Sequence, residues 1–224
     1  MATEVDICNA ALSLLGEAAN IVSVKPTDGS EMAGLCGRWL PMATRRIFEE
    51  ADWSFAQRRV RLSELSGVDA SLFGARKCYA WPSDAVRIID LYAPIKSSSR
   101  LTEVPVEGDP GMRFGQVRRD EWRVEYNPSN SARMIVTNVE NAVCRYTAYL
   151  SSPSQWPQYL IDAITVLLAS YLCGALKRSS TASTESLKLL EQYQRAISVA
   201  KTIDAAGTRQ KIVRVPSSIS SRWV

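Results

Sequence analysis

The 224-residue chain is 46% hydrophobic and 22% charged, with Lys plus Arg 27 against Asp plus Glu 23. That length can bury a core without disulfide or metal staples, and a net charge of +4 is too slight to argue for nucleic acid by itself. With His 0, Ser-His-Asp and Cys-His catalysis, His-ligated metals and a histidine pH switch are all excluded.

The first predicted helix covers about 3–15. Thr3 and Asp6 have the spacing of a capping box. Ile7, Ala10, Ala11, Leu14 and Leu15 then form one face, and Gly16 is a natural stop. Glu4 and Asp6 come too early for a signal peptide, and no basic region precedes them. Pro26-Thr27-Asp28-Gly29 is turn chemistry. Asp28 as N-cap, with Glu31 three residues on, opens a second helix over 29–50. Its face carries Met32, Leu35, Cys36, Trp39, Ala43 and Ile47. Pro41, inside it, is expected to kink or break it.

After Trp53 the pattern changes to short strands at Lys77–Trp81, Val86–Tyr92, Trp122–Tyr126, Met134–Val139 and Val143–Tyr149. Trp122, Val124 and Tyr126 alternate with Arg123 and Glu125, the period of a half-exposed strand. Asn127-Pro128-Ser129-Asn130 is a strong turn, so a hairpin is expected there. The stretch 97–120 reads as an irregular excursion. Helical period returns over 157–178, through Leu160, Ile161, Ile164, Leu167, Leu168, Tyr171, Leu172 and Ala175. Ser179-Ser180-Thr181 breaks it and can cap a fourth helix over 182–206. Tyr159–Leu176 is nearly all apolar, but Asp162 interrupts it and a membrane span needs roughly 20 apolar residues. A buried core helix is expected.

The fold class implied is α+β: a four-helix bundle from the N- and C-terminal helix pairs, an inserted antiparallel β region and an extended C-terminal tail. The domains would be 1–52 with 153–206, the insertion 53–152, and the extension 207–224. Cys8, Cys36, Cys78, Cys144 and Cys173 form no close pair and read as buried, reduced thiols.

Chemistry-bearing motifs are sparse. There is no G-x-x-x-x-G-K and no G-x-G-x-x-G; Gly108, Gly111 and Gly115 read as loop glycines. Glu49-Glu50 and Asp120-Glu121 read as surface charge. Ser198-x-x-Lys201 has the spacing of a Ser-Lys acyl enzyme, but lacks the accompanying S-D-N and K-T-G motifs. No catalytic residue, cofactor or metal site is assigned.

Three segments, in order, carry a family likeness. They are Asn9-Ala10-Ala11-Leu12-x-x-Leu15-Gly16, then Asp52-Trp53-Ser54-Phe55-Ala56 followed by Arg59 and Leu62, then Tyr79-Ala80-Trp81-Pro82-x-Asp84-x-x-Arg87-Ile88. This order resembles the tail tubular protein A family, the head-to-tail adaptors of short-tailed bacteriophages, over most of residues 2–206. Trp81 stands where the family pattern has Leu, and 209–224 matches nothing in it. Trp53, Phe55, Tyr79, Pro82 and Asp84 are read as fold anchors. Trp53 and Phe55 would pin the helix-to-strand transition, and Pro82 and Asp84 would shape a turn.

The resemblance implies a ring, a dodecamer in this family, seated between the portal protein and the tail nozzle protein. DNA would pass through its channel during ejection. It implies a virion protein made in the host cytoplasm, with no reaction catalysed and no membrane partner. The extension holds Arg209, Lys211, Arg214 and Arg222 and no acid. Ile212-x-Arg214-Val215 could add as an edge strand, and Trp223 suits a partner's pocket. These residues are the expected contact with the portal or a neighbouring subunit. Competing readings are a monomeric nucleic-acid-binding module, on Arg58-Arg59-x-Arg61 and Arg118-Arg119, another phage neck or head-completion protein, and an acyl-transfer enzyme.

Overall fold

A computed structural model describes residues 2–94, 114–118, 121–177 and 182–207. The fold is α+β, with four helices and two small antiparallel sheets.

Helix α1 is Glu4–Leu14. It opens on the expected capping box: the Asp6 N–H donates to Thr3 Oγ1 at 3.2 Å, and the Thr3 N–H donates to the Asp6 carboxylate at 2.8 Å. Those bonds from Thr3 hold the Asp6 carboxyl below its ordinary pKa. Past Gly16, at φ 72, the chain returns along the helix. Asn9 anchors it there, accepting from the Ile21 N–H and donating to the Ile21 carbonyl, both at 3.0 Å.

Helix α2 is Glu31–Glu50; its expected N-cap needs correction, and of the two outcomes expected at Pro41 a break does not occur. Its N-cap is Ser30, whose Oγ accepts from the Ala33 N–H at 3.1 Å. Asp28 sits two residues back and accepts from the Ser30 N–H, the Ser30 hydroxyl and the Val22 N–H. These bonds, the Ser30 hydroxyl first, pull its pKa down to about 2. Nor does Pro41 break the helix. Proline removes one donor, and burial of Cys36, Leu40, Ala43, Ile47 and Phe48 along the same helix outweighs that loss.

The strands are β1 Gln57–Arg61, β2 Lys77–Ala80, β3 Ala85–Pro94, β4 Phe114–Gln116, β5 Trp122–Tyr126, β6 Arg133–Thr137 and β7 Val143–Ala148. One sheet runs β1-β7-β3-β4, the other β2-β6-β5. The hairpin is β5–β6, from Trp122↔Thr137 to Tyr126↔Arg133. The Asn127 carbonyl accepts from Ser131, which sits at φ 55, and its Oδ1 accepts from Ser129. β1 and β4 are strands where none was expected, and Gly115 lies in β4 rather than in a loop.

Helix α3, Gln158–Leu176, is long and apolar enough to cross a membrane by length and composition. Yet 61% of that window is buried inside the protein, so it is a core helix. It packs against α1, α2 and α4, which is Ala182–Gly207, whereas α1 and α2 meet only lightly. The main core runs from these helices through Trp53 into both sheets. In the three-stranded sheet, Tyr79 and Ile135 face that core, while Cys78, Met134 and Val136 face a second cluster under Leu65, Val68 and Phe73. This is the two-residue alternation of a sheet covered on both sides. All five cysteines are buried and free.

Candidate functional site

Trp53 is fully buried, and its indole N–H donates to the Ile47 carbonyl at 2.8 Å. Its ring lies against Phe55 and Tyr159, and Phe48 joins Phe55 to Tyr149 and Trp156. The cluster sits where α2 ends and β1 begins, with α3 across from it. Tyr79 is buried and donates to the Val139 carbonyl at 2.8 Å. The Pro82 carbonyl accepts from the Ala85 N–H at 3.0 Å, which closes the turn into β3.

Asp84 has more partners than a turn residue needs. It accepts from Arg58 Nη1 at 2.7 Å and from the Tyr146 hydroxyl at 2.9 Å. Burial, then the bond to Asp84, pushes the Tyr146 phenol up to about 12. Arg87 reaches back to Asp52 at 2.5 Å. Two acid–arginine pairs, Asp52–Arg87 and Arg58–Asp84, therefore join the Asp52–Leu62 segment, which runs into β1, to the Tyr79–Ile88 segment.

Three further carboxylates tie distant elements together: Asp204 and Asp90, which no sequence signal marks, and Glu50, which reads as surface charge from the sequence but has internal partners. Asp204, near the end of α4, is buried and accepts from the Ser54 N–H at 2.8 Å, the Ser54 hydroxyl at 2.7 Å and the Tyr159 hydroxyl at 2.9 Å. It ties the last helix to the Trp53 segment, and burial together with this bond raises the Tyr159 phenol above its ordinary value. Glu50 accepts from the Tyr193 hydroxyl and from Lys201 at 3.1 Å. Burial would raise the Glu50 carboxyl, but the Tyr193 and Lys201 bonds outweigh it and hold the pKa below normal. Asp90, inside β3, is buried between Arg145 and Gln116. Each acid bonds a residue at least 26 positions away, so no local signal marks it.

Ser198 and Lys201 do not address each other. The Ser198 hydroxyl donates to the Gln194 carbonyl, and the Lys201 ammonium is held by Glu50. Arginines of the strand region also have internal partners. Arg58 meets Asp84, Arg59 lies over the Tyr92 ring at 5.4 Å, Arg123 bonds Glu125 and the Phe73 carbonyl, and Arg133 lies over Trp81 at 5.4 Å. Among the described residues no cluster of Cys, Asp or Glu could hold a metal ion. The expected partner-contacting residues, Arg209, Lys211, Ile212, Arg214, Val215, Arg222 and Trp223, lie outside the described residues, as do Arg119 and 178–181. No protein-family model matches the chain, and no curated protein matches it.

Proposed function

We propose that this chain is a head-to-tail adaptor of a short-tailed phage. Copies would close into a ring between portal and tail nozzle, with DNA passing through during ejection. In this reading the four helices act as one bundle built from both ends of the chain. The strands form an insertion, and 208–224 reaches the portal or the next subunit.

The observation that carries the reading is the junction of the motifs. The segments Asp52–Leu62 and Tyr79–Ile88, recognised by their order, meet through Asp52–Arg87 and Arg58–Asp84. Asp204 brings the C-terminal helix to the same place. Residues that look like family markers thus work as one structural joint, the role expected of markers in a protein that acts by building an assembly. The arginines of β1 also suit this better than a nucleic-acid clamp, because Asp84 and Tyr92 engage Arg58 and Arg59.

The test is reconstitution. Purified protein is added to portal-bearing heads that lack it, and the particles are imaged. A ring below the portal is expected with the full chain, and none with residues 208–224 deleted. Full-chain protein that never joins such heads, yet binds DNA as a monomer with a steep salt dependence, would replace this reading with the nucleic-acid one.

A further inference from the structure

Helices α1 and α3 leave an open groove of about 420 Å³ between them. Ala10, Leu14, Ile161 and Val166 line it with apolar surface, and Asp6 and Asp162 line it with charge. Leu14 is 51% exposed there, a large apolar side chain left half in water. The charged residues of α1 and α3 are Glu4, Asp6 and Asp162; neither helix has a Lys or Arg. The groove is therefore both apolar and acidic.

Residues 208–224 have the complementary chemistry. Arg209, Lys211, Arg214 and Arg222 alternate with Ile212, Val213, Val215, Ile219 and Trp223, and no acid is present. The position where the described chain stops matters equally. Asp204, three residues before Gly207, bonds the Tyr159 hydroxyl. The neighbour of Tyr159, Gln158, lines the groove. From Gln158 to Val166 the groove follows about 12 Å of helix at 1.5 Å per residue. The segment spans at most roughly 60 Å when extended, so reach is no obstacle. A segment tethered this close also has an effective concentration in the mM range, well above that of any second copy in dilute solution.

We propose that in the free subunit the α1–α3 groove holds residues 208–224 of the same chain. Arginine or lysine side chains meet Asp6 and Asp162, and apolar side chains cover Leu14, Ile161 and Val166. This does not depend on the adaptor reading. If that reading holds, assembly moves the segment from its own groove to the portal or the next subunit.

The experiment uses the purified full chain carrying a photo-crosslinking phenylalanine analogue at Val215 or, separately, at Ile219. After irradiation, adducts are mapped by mass spectrometry. Adducts within one chain on residues 2–14 or 158–166 are expected. Asp162→Lys should lower their yield about five-fold while leaving the melting temperature near wild type, since Asp162 is exposed and its bond is to Gln158 on the same helix. If that variant does not fold, Ala10→Trp, which blocks the groove from an exposed position, takes its place with the same expected loss. Adducts between chains, adducts elsewhere, no adducts above background, or full yield in a folded groove variant would each overturn the proposal. None of these results depends on particle assembly, so the proposal and the adaptor reading can fail separately.

Discussion

Around α3 the contacts are apolar on nearly every side: Leu160, Ile164, Leu167, Leu168 and Leu172 are fully buried, and Asp162 is the helix's one charged residue. Across β1, β3 and β7 the ties between strands and neighbours are polar: Arg58–Asp84, Arg87–Asp52, Arg145–Asp90 and Tyr146–Asp84. The two regions should therefore fail differently. In the helical region a deletion leaves a void, and its cost follows the volume lost. In the strand region the cost follows how deeply the broken pair is buried, from several kcal/mol for an orphaned buried charge to nearly nothing at the surface.

Trp53 belongs to the first kind although it borders the second. It is fully buried against Phe55 and Tyr159 and has a satisfied N–H. Trp53→Ala should cost about 3–5 kcal/mol, read as a drop in the denaturant midpoint; under the adaptor proposal, soluble protein is lost before any specific loss of assembly. A Trp53→Ala protein as heat-stable as wild type but unable to join particles would make this tryptophan an interface residue.

The same contrast accounts for what could be read from sequence. The helices were legible because burial of one face leaves a 3.6-residue period, and the capping box at Thr3 and Asp6 is local chemistry. The β5–β6 hairpin is legible because Asn127 to Asn130 fall between the alternating run Trp122–Tyr126 and the apolar run Met134–Val136. β1 was not: Gln-Arg-Arg-Val-Arg has one apolar residue, and its strand form comes from pairing with β7, more than 80 positions away. The N-cap was misplaced because Asp28 and Ser30 are both capping residues, and only the fold of Val22 against Asp28 separates them. Trp53, Phe55, Tyr79 and Pro82 were found as anchors by type and spacing. Asp204 and Asp90 carry no sequence signal, and Glu50 reads as surface charge, because an acid looks the same in sequence on a surface as beside a distant tyrosine, lysine or arginine.

Asp204 gives the next largest effect. Asp204→Ala leaves the Ser54 N–H, the Ser54 hydroxyl and the Tyr159 hydroxyl without this acceptor. Loss of hydrogen bonds to a buried charge should cost about 2–3 kcal/mol. Hydrogen exchange at the Ser54 amide should rise more than exchange in β5–β6, which Asp204 does not touch. Equal protection at Ser54 in variant and wild type would mean that α4 is held by its apolar face and by Glu50, without help from Asp204.

Tyr146 places the strand region on a pH axis. Its phenol stands at about 12 in the fold against an ordinary value of 10. A proton held more tightly when folded contributes stability fully below pH 10, and that contribution is lost as pH rises from 10 to 12. Tyr159 and Tyr193 are shifted the same way by burial and their carboxylate partners. Urea unfolding should therefore show stability falling across that alkaline window. Tyr146→Phe should cost about 1 kcal/mol at pH 8 and make the alkaline decline shallower. A decline of unchanged steepness would assign the window to the other buried phenols and thiols, Tyr79, Tyr159, Tyr193 and Cys144 among them.

The smallest effect is expected at Asp52–Arg87, and it sharpens the comparison most. The pair is short, at 2.5 Å, and joins two family-like segments, yet the side chains are 41% and 45% exposed. Water screens such a pair, and holding two side chains in one geometry costs entropy, so Arg87→Ala should cost about 0–1 kcal/mol. Raising salt should erase what remains. A double-mutant cycle with Asp52→Ala measures the coupling directly. If it exceeds the cost of removing Asp204, burial is not what ranks the polar ties of this protein, and the joint between the two segments is stronger than its exposure allows. A coupling near zero would instead mean that Trp53 and its ring partners hold the joint, with the ion pair setting only the angle at which β3 leaves its turn.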